Sequence, residues 1–229
     1  MEIRDRFVTL GGLRFHYREV GDPQGHPAVL LHALGAGCSD WDQVAQALAT
    51  EHRVLALEMR GSFASPRTEQ YSFELMRDDV REFADELGLQ RFALVGHSMG
   101  GTVAYLFAEE WPERLDRLVV EDTAPPVQGR SWTVSDGAPP PDLPFDVEMG
   151  RAILRQLNEP NPAWWRRLSE ITVPTLVVAG GPDSHVPQEE LVEVGRRIPG
   201  CRLIDLGGGH RVHAERLAEF VAAVHEFLG

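Results

Sequence analysis

"FALVGHSMGGTVAYLFAEEW", residues 92–111, passes from a short apolar run through small residues into a second apolar pattern, with Ser98 at the join. The first part reads as a buried strand and the second as a helix. Between them, Gly96-His97-Ser98-Met99-Gly100 has the Gly-x-Ser-x-Gly spacing of a nucleophile elbow. The turn must be tight, because side chains at 96 or 100 would collide with the adjoining strand and helix. A strained backbone at Ser98 would project its hydroxyl away from the sheet, and the helix N-terminus behind it favours developing negative charge. The spacing alone also describes an ordinary glycine-rich turn. The strand before it and the helix after it favour the nucleophile.

Working outward, "AVLLHA" (28–33), "RVLALEM" (53–59), "RLVVED" (117–122), "TLVVAG" (175–180) and "RLIDLG" (202–207) are further near-continuous apolar runs, as expected of strands covered on both faces. Helical patterns separate most of them, at about 39–50, 73–87, 99–110, 188–197 and 212–228. In 73–87, Met76, Val80, Phe83, Ala84 and Leu87 share a face, Ser72 can cap the start and Gly88 can end it. Such alternation predicts an α/β fold with a mostly parallel sheet and helices on both faces. Two β-prone runs around Gly11-Gly12 predict an antiparallel hairpin at the start.

The stretch "APPVQGRSWTVSDGAPPPDLPF" (124–145) breaks the alternation, and two helices are expected after it. One, about 146–158, carries Ile153, Leu154 and Leu157. The other has Asn161 as a cap and then Trp164, Trp165 and Leu168. Residues 127–171 are therefore read as a short cap insertion in a core formed by 1–126 and 172–229.

A serine hydroxyl is a poor nucleophile without a base held by an acid. His210, in the "GGGHRVH" that follows the run at 202–207, is the expected base, and Asp183 in "GGPDSHVP" the expected acid. Together they give the chain order Ser, Asp, His. Glu121 and Asp122, ending the run after the nucleophile, compete with Asp183. His213 is a weaker base because it falls on the helix, and His210-x-x-His213 lacks the further ligands a zinc site needs, so no metal is expected. His97 should point away from Ser98.

Composition narrows the class. With 229 residues, 43% hydrophobic and 25% charged, the chain suits one sizeable globular core. The net charge of −13 and the lack of a basic run argue against nucleic acid. Cys38 and Cys201 have no paired spacing, the N-terminus "MEIRDRFVTL" is charged, and no apolar run spans a bilayer. The expectation is a cytoplasmic protein without membrane partners. Gly35-x-Gly37, with Glu58 about 20 residues on, mimics part of a dinucleotide fingerprint, but its third glycine position is Asp40.

The chain resembles the α/β-hydrolase superfamily, in its small esterase-like branch. The resemblance rests on "LLHALGAGCSDW", "LEMRGSFASP", "GHSMGG", "EDTAPP", "PTLVVAGGPD" and "GGGH", and covers nearly the whole sequence. It implies an eight-stranded sheet, a cap after the sixth strand and no cofactor. It also implies an oxyanion hole from the N–H groups of Leu34 and Met99. Ala33, Glu58 and Phe63 depart from the family's usual glycine, aspartate and glycine. The resemblance implies hydrolysis of a small, largely apolar ester or thioester through Ser98, His210 and Asp183. A lyase, acyltransferase or ligand-binding receptor on the same fold is the alternative. Phe63, Trp132, Phe145, Met149, Trp164 and Trp165 are candidates to line an apolar pocket.

Overall fold

The computed structural model describes residues 1–135, 137 and 143–229; the remainder of the proline-rich stretch lies outside the described residues. Eight strands form one sheet: β1 (Arg4–Leu10), β2 (Leu13–Val20), β3 (His26–Leu31), β4 (His52–Leu57), β5 (Phe92–His97), β6 (Leu115–Glu121), β7 (Thr175–Ala179) and β8 (Arg202–Asp205). Their spatial order is β1-β2-β4-β3-β5-β6-β7-β8. The first hairpin is antiparallel, as is the pairing of β2 with β4, and every later pairing is parallel. Gly11 and Gly12 turn the hairpin at φ 54° and 83°, a region open to glycine at little cost.

The apolar runs are buried for the expected reason: helices cover both faces. One face packs α2 (Phe73–Glu86) and α3 (Met99–Glu110) through Val80, Phe83, Val103 and Phe107. The other packs α1 (Asp42–Leu48) and, near the C-terminus, α8 (Leu217–Leu228) through Trp41, Val44, Leu48, Phe220 and Val224. At the start of α2 the Ser72 hydroxyl accepts from the Leu75 N–H at 3.1 Å, and Gly88 follows the helix at φ 68°.

Two boundaries differ from the sequence expectation. The run at 202–207 pairs only as far as Asp205, because Gly207, Gly208 and Gly209 all take positive φ and turn the chain back over the sheet end. The helix expected over 212–228 breaks at Arg216 into α7 (Val212–Glu215) and α8. The break lets the His213 N–H reach Glu121 at 2.9 Å while Phe220 and Val224 stay against the sheet.

Between β6 and β7 lie α4 (Val147–Asn158) and α5 (Ala163–Arg167), with α6 (Gln188–Arg197) after β7. The Asp146 carboxylate caps α4 through the Glu148 N–H at 3.0 Å and accepts from the Tyr71 hydroxyl at 2.7 Å. Gln156 accepts from the Phe73 N–H at 2.8 Å, and Trp164 packs edge-on to Phe73 with ring centroids 5.6 Å apart. These contacts bind the segment to the core beside the carboxyl ends of the strands.

Glu109 on α3 is 4% exposed, and among the described residues its carboxylate oxygens have no hydrogen-bond partner. Burial pushes its pKa up to about 8, against the pull of Arg167. The folded state therefore binds a proton more tightly than the unfolded chain, so stability falls as pH rises from the ordinary carboxylate value of 4.5 towards 8. Glu109→Gln is expected to flatten that fall and to gain about 1–3 kcal/mol over wild type at pH 9. Urea unfolding at pH 6 and pH 9 measures the difference.

Candidate active site

Ser98 occupies the single position between β5 and α3, at φ 54° and ψ −115°. A non-glycine residue held there stores roughly 1–3 kcal/mol of strain, which the surrounding structure must impose. The glycines make that possible. A β-carbon at Gly96 would lie 2.3 Å from the Gly100 carbonyl oxygen, and one at Gly100 would lie 2.4 Å from the Leu31 oxygen. The Gly100 N–H donates to the His32 carbonyl at 3.1 Å, fixing the start of α3 to the end of β3.

Glu121 and Asp122 follow each other at the end of β6, and each finds a different histidine. Glu121 ends the strand fully buried, with Oε2 2.8 Å from His213 Nδ1. Asp122 takes φ 43° and sets Oδ2 2.8 Å from His210 Nδ1. The Gly180 N–H donates to Asp122 Oδ1 at 2.8 Å, Gln188 Nε2 donates to the same oxygen at 3.3 Å, and the Ser184 hydroxyl donates to Oδ2. Burial works against the carboxylate, but the bonds from His210, Ser184, Gly180 and Gln188 outweigh it and hold its pKa below the ordinary value. With Nδ1–H directed at Asp122, the lone pair of His210 is left on Nε2.

The pairing differs from the expected one of His210 with Asp183. Asp183 is exposed in the turn Gly181–Asp183, and the carboxylate that meets His210 is that of Asp122. The physical reason is the left-handed backbone at Asp122 combined with Gly180. A β-carbon at 180 would stand 2.0 Å from the Gly209 oxygen and 3.0 Å from Asp122 Oδ1, so only glycine leaves room for this crossing.

Ser98, His210, Asp122, Leu34 and Met99 line one cavity of about 570 Å³. Its apolar wall comes from Phe73, Ile153, Leu154, Leu157 and Val186. Of the six pocket candidates, Trp132 alone is among the lining residues. Met149 and Trp164 are buried in the core, and Phe145 packs against it with its side chain near Gly150. Trp165 lines a separate groove with Pro126 and Pro162 and donates its indole N–H to the Pro126 carbonyl at 3.2 Å. Phe63, 49% exposed, stacks over Gly37. Apart from Trp132, the aromatic rings of this segment are anchors, and its aliphatic residues face the cavity.

Three neighbours went unnoticed in the sequence. The His185 ring lies 4.1 Å from the His210 ring, and Trp132 approaches His185 at 6.1 Å. Arg130 and Arg211 line the cavity but are paired with Glu190 at 2.7 Å and Asp40 at 2.5 Å. His97, beside Ser98 in the elbow, is buried. Its Nε2 bonds to the His210 carbonyl at 2.7 Å, and burial pushes its pKa down to about 4. Glu58, the departure from the usual aspartate, is satisfied: its carboxylate accepts from the N–H groups of Cys38 at 3.1 Å and Ala64 at 3.3 Å and lies 2.8 Å from His16 Nδ1.

Comparison with known proteins agrees with this architecture. A family model described as alpha/beta hydrolase fold matches residues 27–146, more than half of the chain. The protein belongs to the alpha/beta-hydrolase family. Among relatives, this alpha/beta hydrolase is 26% identical, over an alignment of 263 positions, to a putative 2-succinyl-6-hydroxy-2,4-cyclohexadiene-1-carboxylate synthase of Bacillus subtilis, covering 95% of each chain. It is 28% identical, over an alignment of 255 positions, to the sn-1-specific diacylglycerol lipase ABHD11 of Mus musculus, covering 91% of this chain and 82% of that one. It spans only 31% of the length of epoxide hydrolase 4 of Mus musculus, at 35% identity over 113 residues. A hydrolase from Pseudomonas aeruginosa superimposes with a TM-score of 0.85 at 24% identity, covering 99% of this chain and 98% of the other, a likeness of fold. Among the described residues no helix is long and apolar enough to cross a membrane.

Proposed function

We propose that this alpha/beta hydrolase cleaves carboxylic esters or thioesters of small, largely apolar substrates by acyl transfer through Ser98. The observation that carries the proposal is the Asp122–His210 pair, joined at 2.8 Å, in the same cavity as a serine held at positive φ. In this reading Asp122 fixes the Nδ1–H tautomer of His210, so that Nε2 takes the proton as Ser98 Oγ attacks the carbonyl carbon. The N–H groups of Leu34 and Met99 stabilise the oxyanion, the His210 proton passes to the departing alcohol or thiol, and water activated by the same imidazole releases the acid. Among the described residues no hydrogen bond joins Ser98 Oγ to His210. Such bonds often tighten only once substrate is bound.

An apolar cavity wall and a lipase among the relatives support an ester with a hydrophobic acyl or alcohol part. The synthase among the relatives supports a second reading, a lyase using the same base. A fluorophosphonate probe tests the first. It is expected to add one phosphonyl group, located on the peptide carrying Ser98, and to abolish p-nitrophenyl butyrate hydrolysis in proportion to labelling. A labelled protein that never hydrolysed a panel of esters and thioesters would favour the lyase, and an unlabelled Ser98 would overturn the nucleophile.

A further inference from the structure

Acyl transfer uses one imidazole–carboxylate pair, and directly behind it the fold builds another. The Glu121 carboxylate lies 2.9 and 2.8 Å, by its two oxygens, from His213 Nδ1 and accepts the His213 backbone N–H at 2.9 Å. On the other side, His97 Nε2 is committed to the His210 carbonyl at 2.7 Å. One nitrogen of each ring therefore has a strong acceptor. Of the other two, His97 Nδ1 is buried without a hydrogen-bond partner among the described residues and His213 Nε2 faces Asp40 Oδ2 at 3.2 Å, in side chains 1% and 2% exposed. These two nitrogens and a carboxylate oxygen of Asp40 all lie within 4.8 Å of one another.

We propose that His97 Nδ1, His213 Nε2 and Asp40 form a binding site for a divalent ion of the zinc class. Ligating histidines characteristically donate their second N–H to a carboxylate or a carbonyl, which fixes the tautomer and aims the lone pair. Both halves of that arrangement are present: Glu121 stands behind His213 and a backbone carbonyl behind His97. Two imidazoles and one carboxylate suit zinc, whose ligand atoms at bonds of about 2.0–2.1 Å stand roughly 3.3 Å apart. His213 Nε2 and Asp40 Oδ2 are already 3.2 Å apart. Arg211 binds the other oxygen, Oδ1, at 2.5 Å and leaves Oδ2 to the site. Two carboxylates against one imidazole raise its affinity for positive charge, and a divalent ion at the same lone pair gains from the same field. Asp40 and His97 also line the large cavity.

A second group, His16, Cys38 and Glu58, has similar spacing but is closed on itself. There His16 Nδ1 faces Glu58 at 2.8 Å, His16 Nε2 faces Asp5 at 2.9 Å, and burial drives the Cys38 thiol far up in pKa. The unpartnered, buried Nδ1 of His97 distinguishes the site at His97 and His213 from that group. An ion there would tie the His210–His213 loop to the end of β5 and to the turn before α1.

The test uses the full chain stripped with chelator and titrated with ZnCl2 by calorimetry, with CoCl2 as a spectroscopic probe. One ion per chain is expected, with a rise in Tm of about 5 °C at 100 times Kd and visible Co2+ bands of low-symmetry coordination. Asp40→Asn and His213→Gln should each weaken binding at least roughly tenfold, and Glu121→Gln, which removes only the support of His213, roughly 10- to 100-fold. Asp40 lies at the half-buried rim, so its variant keeps the test open if the buried substitutions do not fold. Cys38→Ser and His185→Gln should bind as wild type does. Absence of binding would mean that the carboxylates hold only a proton on His213 and would overturn the site, as would undiminished binding by Asp40→Asn.

Discussion

Asp122→Asn is expected to lower kcat/KM for a short-chain ester roughly 10,000-fold, the scale seen when the acid of a Ser-His-Asp triad is neutralised, while Asp183→Asn stays within about threefold of wild type. The contrast follows from what surrounds the two carboxyls. Every neighbour of Asp122 is a donor: His210 Nδ1, Ser184 Oγ, the Gly180 N–H and Gln188 Nε2. An acceptor-only group is satisfied there. An amide sets its own N–H2 against at least one of those donors, and the His210 ring then loses the partner that selects its tautomer and stabilises its charged form. Asp183 is exposed, and its loss removes no contact to the imidazole. Equal melting curves for the two variants would assign the difference to chemistry. A 10,000-fold loss in Asp183→Asn with Asp122→Asn intact would return the acid to the turn after β7.

The other large effect is on folding. Gly100→Ala is expected to cost more than about 4 kcal/mol and to give little soluble protein. Its β-carbon would lie 2.4 Å from the Leu31 oxygen and 2.6 Å from the Leu31 carbonyl carbon, both main chain in a central strand that cannot yield. Gly96→Ala meets the Gly100 carbonyl at 2.3 Å and should behave alike. Gly88→Ala is the control. Its φ of 68° is strained for alanine, but nothing lies within 4 Å of the added carbon, so a loss of about 1 kcal/mol is expected. Urea denaturation of Gly88→Ala, with the soluble yield of the other two, decides the matter. A well-folded Gly100→Ala would show that the elbow is looser than its distances imply.

The elbow was legible because it is local: strand, turn and helix are consecutive, and each glycine answers a clash within a few residues of itself or against the adjacent strand. The strand runs were legible because two covered faces require continuous apolar sequence, and the family match agrees with them. The carboxylate that meets His210 was not legible. Glu121 and Asp122 are adjacent carboxylates, and composition alone does not say which leaves the strand at positive φ to cross above Gly180. The pocket lining was misread for a related reason. Five aromatic rings and Met149 were expected at the cavity, whereas of these only Trp132 lines it, burial anchors Met149 and Trp164 in the core, and Ile153, Leu154 and Leu157 of α4 face it.

From the sequence alone, periodicity and the spacing of small residues determined a mostly parallel sheet, a serine on a tight turn and a histidine in the last loop, since each depends on neighbours close along the chain. Which carboxylate meets that histidine, which side chains wall the cavity, and that Asp40, His97 and His213 converge were decided only in three dimensions. Asp122 and His210 are 88 positions apart, and Asp40 and His213 are 173 apart. Their distances are set by strand order and by backbone angles at single residues, which no pattern along the chain encodes.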